Sequence, residues 1–144
     1  MEKRTPSPQP LGVTFLLGIV LSLSAWQGLR LIQAIRFWDI LDEYGVRNGP
    51  AYLAVSGGAW LVAGLALAWF IRRGLPWGRG MTFLAAVGYT AWVWFDRLAI
   101  QGTRSNWPFT LFVTLLLFAF TVLLLFDPGV KAHFRQRETH ERPS

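Results

Sequence analysis

The chain has 144 residues, of which 53% are hydrophobic and only 15% charged, with eight Trp, eleven Phe, no Cys and a formal net charge of +6. A charged share well below the roughly 25% usual in soluble domains excludes an extended disordered protein, and the length suits one compact unit. The absence of Cys excludes disulfide exchange, thiolate catalysis, iron–sulfur clusters and Cys-type zinc sites, each of which needs the sulfur itself.

The mean hydropathy of +0.35 averages four apolar runs with Arg-rich ends and loops, so position carries more information than the mean. Residues 1–10 combine charge with three prolines and cannot bury a core, which predicts a disordered cytoplasmic tail ending at Pro10, a good first helical residue. A first span is expected over about 11–32, since some 20 residues at about 1.5 Å each cross a hydrocarbon core of about 30 Å. A cleaved signal peptide would suit Lys3, Arg4 and the small-x-small Ser22-Leu23-Ser24, but the apolar pattern continues past Ser24 without a polar break.

Between the first two spans, Phe37, Trp38, Ile40, Leu41 and Tyr44 gather on one side of a helical projection, opposite Asp39, Asp42 and Glu43. This is a short amphipathic helical segment that either prolongs the first helix or breaks from it to lie in the outer interface, as an anchor or as a lid. The second span is expected over about 50–71, from Asn48-Gly49-Pro50 to Arg72-Arg73-Gly74, and the third over about 81–100. The fourth, about 107–126, opens at Ser105-Asn106-Trp107-Pro108, closes at Asp127-Pro128-Gly129 and contains no charge. Residues 127–144 read as a polar, frayed cytoplasmic tail. The fold class is therefore an all-α integral membrane protein, four transmembrane helices in an antiparallel bundle over 11–126.

Lys and Arg set the orientation. With the N-terminus inside, Lys3, Arg4, Arg72, Arg73, Arg79, Lys131, Arg135, Arg137 and Arg142 lie inside, and Arg30, Arg36, Arg47, Arg97 and Arg104 outside. The surplus inside places both termini in the cytoplasm, as for a multi-pass protein of a bacterial inner membrane. The same placement argues against nucleic acid, because no basic and aromatic stripe occupies a soluble element.

The helix faces suggest where the interior lies. At about 100° per residue, Ser22, Trp26, Arg30 and Gln33 form one stripe, and Thr82, Ala86, Tyr89, Val93 and Asp96 another, opposite Leu84, Val87, Ala91, Trp94, Phe95 and Leu98. Thr110, Thr114 and Thr121 make a third. Stripes that avoid hydrocarbon are expected to face one another. In the second span Ala54/Gly58, Ala59/Ala63 and Gly64/Ala68 form small-xxx-small pairs, expected to let a neighbouring helix or a second copy approach closely.

A charge at the bilayer centre costs about 2.5 to 3.5 kcal/mol on insertion scales, so Arg30 and Asp96, at similar depth, are expected to pair, with Gln33 and Tyr89 completing the hydrogen bonds. The two histidines, His133 and His140, lie in the C-terminal tail, where they offer no axial ligands to a haem within the bundle, and the nucleotide-cradle, zinc-protease and hydrolase motifs are absent. No cofactor or metal is implied. In size and span count the chain is similar to the small multidrug transporters, four-helix proteins that work as dimers, but its first span lacks the embedded Glu on which they rely, and their function is not carried over.

The expected role is that of a non-enzymatic accessory or structural membrane protein. Its partners would be lipids and either another membrane protein or a second copy. The alternative is transport or binding of a small or amphipathic ligand at an outward polar cavity lined by Arg30, Gln33, Tyr89 and Asp96.

Overall fold

The computed structural model describes residues 9–44, 49–101 and 106–135, the side chains at 100 and 101 excepted. The expected tails at 1–8 and 136–144, with Arg47, Asn48, Arg104 and Ser105, lie outside the described residues. Among those described, every element is helical: α1 (Leu11–Arg36), α2 (Trp38–Glu43), α3 (Gly49–Arg73), α4 (Gly78–Phe95), a π-helical turn (Asp96–Gln101), α5 (Trp107–Phe126) and α6 (Pro128–Arg135).

Three of these helices, α1, α3 and α5, are long and apolar enough to cross a membrane, with mean hydropathies of 1.6, 1.8 and 2.7. The third expected span corresponds to α4, which starts at Gly78 and loses α-geometry after Phe95 rather than running to Ile100. Arg79, Thr82, Tyr89 and Thr90 interrupt its apolar run.

Local chemistry sets the boundaries. Phe37 (φ −110°, ψ 27°) separates α1 from α2, so the amphipathic segment is a distinct six-residue helix and not a continuation of the first span. Gly74 ends α3 at φ +62°, with its N–H on Ile71 O (3.0 Å) and that of Leu75 on Phe70 O (3.4 Å), a pairing that closes the exposed carbonyls of the last turn. Asp127 starts α6 by accepting the N–H groups of Gly129 (2.9 Å) and Val130 (3.2 Å) on Oδ1, and Pro128 follows at the first helical position.

The most extensive contact joins α1 to α3. A Cβ at Gly57 would lie 3.1 Å from Gln27 O, and one at Gly64 would run into Ser24 Oγ, so the two backbones touch through glycines two turns apart. Of the expected small-residue pairs, Gly64 and Ala68 take part in the packed face, Ala54 and Gly58 are half-buried, and Ala59 and Ala63 are exposed. Residue numbers rise along α1 as they fall along α3.

The α1 stripe is corrected. Ser22, Trp26 and Gln33 are exposed, and the buried face is Val13, Leu16, Val20, Ser24, Gln27 and Ala34. The two faces lie roughly 120° apart at about 100° per residue, with Arg30 on the edge between them. The close approach at Gly57 and Gly64 selects the inward side, whatever the polarity of the other. On α4, by contrast, Thr82 and Asp96 are buried and Ala86, Tyr89 and Val93 half-buried, with Leu84, Val87, Ala91, Phe95 and Leu98 outward, while Trp94, expected outward, is half-buried.

The C-terminal segment is the second correction. Residues 128–135 form α6, whose Val130 and Phe134 are buried in one cluster with Val13, Leu16, Val20, Leu67, Ala68, Ile71 and Leu125. An i, i+4 apolar pair on an otherwise polar helix suffices to dock it. Val130 lies against Gly12, Phe134 against Gly78, and His133 Nε2 is 3.0 Å from Ile71 O. The start of α1, the end of α3 and the start of α4 thus meet α6, and the apolar core sits at that end. Towards the opposite end lie Gln27, Arg30, Tyr52 and Asp96.

Candidate functional site

Asp96 stands where α4 passes into the π turn, its N–H shared between Trp92 O and Val93 O. Its side chain is buried, with Oδ1 accepting the Tyr52 hydroxyl at 2.7 Å and Oδ2 lying 3.9 Å from Arg30 Nη2. The first is a short bond to a charged acceptor; the second exceeds hydrogen-bond length and acts through charge alone. Arg30, with its side chain 20% exposed, also places its guanidinium 5.3 Å from the centre of the Trp92 ring.

Trp92 belongs to an aromatic group that leads inward. Its centroid is 5.6 Å from Trp60 and 5.8 Å from Tyr89, and Trp60 meets Tyr89 edge-on at 5.0 Å. Such edge-on and tilted contacts suit the ring quadrupoles and fix the relative rotation of α3 and α4. Tyr89 in turn accepts a hydrogen bond from Gln27 Nε2 at 3.1 Å. An unbroken chain of contacts therefore runs from Asp96 through Arg30, Trp92 and Tyr89 to Gln27.

Below this chain lies a cavity of about 270 Å³, walled by α1, α3, α4 and α5. Ser24, Thr82, Thr114 and Thr121 are on its walls, and each donates its hydroxyl to a carbonyl four residues back in its own helix, at 2.7 to 2.8 Å. Their protons are satisfied locally, so they neither tie helices together nor face the cavity as donors. Gln27 differs. It is 1% exposed, lines the cavity, and its Oε1 has no hydrogen-bond partner.

Of the expected cluster, the structure brings Arg30 and Asp96 to 3.9 Å and links Tyr89 to them through Trp92. Gln33 stays on the exposed side of α1, and the partner of Tyr89 is Gln27. Only Tyr89 of the four lines the cavity. Sequence reasoning missed Gln27, Tyr52, Trp60 and Trp92. Ser24, Gln27 and Arg30, three residues apart, already formed an alternative α1 stripe, whereas nothing local marked Tyr52 as the partner of an acid 44 residues away.

Among the described residues no group of three or more His, Asp or Glu stands together to hold a metal ion. Comparison of the chain with protein families, curated proteins and solved structures finds no match.

Proposed function

We propose that this chain is a four-span integral membrane protein of a bacterial inner membrane, an antiparallel four-helix bundle with both termini cytoplasmic, serving as a non-catalytic accessory or structural protein. Support for the fourth span comes from where its neighbours end. α3 finishes beside α6, where Gly74 meets His133, and α5 also finishes beside α6 after 20 residues, so α5 begins at the far side. The chain between them must cross the same thickness, and α4, at about 1.5 Å per residue, nearly does so before the π turn is added.

The outer surface supports lipid as the solvent. Phe15, Leu29, Val62, Leu84, Phe112 and Leu116 are exposed on four different helices, as expected of a bundle surrounded by hydrocarbon. At the α6 end Arg73 stacks on Trp69 at 4.9 Å, and Arg79 and Lys131 lie over Phe126 at 5.3 and 5.2 Å, as basic and aromatic residues do at a headgroup level.

The observation that carries the non-catalytic reading is the Asp96 group. The buried acid is held by Tyr52 and Arg30, while the residues lining the cavity include no Asp, Glu, His, Lys or Arg to activate the wall hydroxyls. General acid–base work needs a poised pair within reach of a substrate. A carrier with an outward polar site has less support, since Arg30 and Asp96 engage each other and Gln33 faces away. Purification in mild detergent followed by mass identification of copurifying proteins tests the accessory role. A stoichiometric membrane-protein partner or a stable homo-oligomer is expected; a lone monodisperse monomer would overturn it.

A further inference from the structure

We propose that the interhelical cavity is a binding site for a neutral lipophilic molecule bearing one hydroxyl, an alcohol or a phenol, seated with that hydroxyl between Gln27 and Tyr89. The inference rests on the cavity and the amide together, and it holds whether or not the chain has a protein partner.

The volume sets how much of a guest is housed between the helices. An apolar cavity of about 150 Å³ holds a benzene, so one of 270 Å³ accommodates about eleven non-hydrogen atoms. That is a single ring with a short alkyl chain, or a comparable length of branched hydrocarbon. The walls set the polarity. Leu23, Leu67, Val93, Leu117 and Phe118 supply apolar surface, the hydroxyls of Ser24, Thr82, Thr114 and Thr121 are turned to their own helices, and Thr90 adds one further hydroxyl to the wall. A charged guest has no counter-ion among these groups, and Arg30 and Asp96 stand beyond the ring of Trp92.

The polar end specifies the head. Gln27 Oε1 is an unused acceptor at a position 1% exposed, and the Tyr89 hydroxyl, which accepts from Gln27 Nε2, keeps its own proton to donate. A guest hydroxyl donating to Gln27 and accepting from Tyr89 closes a three-membered ring of hydrogen bonds. The same group also serves the amide turned over, when Nε2 becomes the free end, because a hydroxyl both donates and accepts. A ketone or ether satisfies only one of the two arrangements, and a hydrocarbon neither.

The test uses the full chain in phosphatidylcholine nanodiscs, titrated with para-butylphenol and with butylbenzene, which share size and differ in the hydroxyl. Binding is read as a saturable change in Trp fluorescence, to which Trp60 on the cavity wall reports, and as a rise in thermal midpoint, each against empty nanodiscs. The phenol should bind about tenfold more tightly than the hydrocarbon, the factor a single well-made buried hydrogen bond supplies. Gln27→Leu, similar in volume without the amide, should reduce that preference to about twofold or less while butylbenzene still binds. Ala86→Leu, which fills the cavity, should abolish both, with its unliganded midpoint serving as the check on folding. Absence of saturable binding, equal affinity of the wild type for both probes, or a preference that survives Gln27→Leu would each overturn the proposal.

Discussion

Tyr52 donates its hydroxyl to Asp96 at 2.7 Å, joining the beginning of α3 to the end of α4 across 44 positions of sequence. Arg30, from α1, stands 3.9 Å from the other carboxylate oxygen. The acid is thus oriented by a phenol and balanced by a guanidinium, and three helices meet on one buried side chain. In a lipid surround, where apolar burial does not drive helices together, such a contact fixes their relative depth and rotation.

Removing the phenol hydroxyl should therefore cost more than weakening the longer charge pair. Tyr52→Phe is expected to destabilise the folded protein by about 1 to 2 kcal/mol. Arg30→Lys, which retains the charge, should cost less. Double-mutant cycles with Asp96→Asn, read as thermal midpoints in one detergent, should give a larger coupling for Tyr52 than for Arg30. A charge swap, Arg30→Asp with Asp96→Arg, should not recover wild-type stability, because Tyr52 remains built for an acceptor at position 96.

Glycines on the α1 and α3 faces separate contact from propensity. Nothing lies within 4 Å of a Cβ built at Gly18, whereas one at Gly64 meets Ser24 Oγ and one at Gly57 meets the backbone of Gln27 and Leu31. Gly57→Ala and Gly64→Ala should each lose about 1 to 3 kcal/mol by forcing α1 and α3 apart. Gly18→Ala should be neutral or gain up to about 1 kcal/mol from helix propensity. Thermal unfolding of the three variants in parallel reads the difference.

Docking of α6 gives a third expectation. Phe134→Ala, at a site 3% exposed, should destabilise by about 3 kcal/mol and open Lys131 and Arg135 to trypsin. Leu123→Ala, on the lipid-facing side of α5 at 69% exposure, should change neither midpoint nor cleavage pattern by a comparable amount.

Helix positions were legible because long apolar runs bounded by Pro, Gly and Asn admit few other readings. The α4 face was legible too, since Thr82, Tyr89 and Asp96 lie on one side and Leu84, Val87 and Leu98 on the other. On α1 two polar stripes compete within an apolar helix, and the choice between them is made by Gly57 and Gly64 of a different helix, so no window on α1 alone contains the answer. Docking of α6 turns on just Val130 and Phe134 in a polar segment, too sparse a pattern to stand out. The cavity is a shortage of side-chain volume among four helices, a property of their assembly and of none of them singly.

The central claim is that four helices cross the membrane and that α4 is one of them, and single-cysteine labelling tests it most directly because the native chain carries no Cys. Gly80→Cys, exposed and with nothing near its Cβ, reports the start of α4; Ser105→Cys reports the connection from α4 to α5; and Asp39→Cys reports α2. With a membrane-impermeant maleimide on intact cells, positions 39 and 105 should label at once and position 80 only after permeabilisation. Labelling of positions 80 and 105 from the same side would show that α4 does not cross, and would contradict the account.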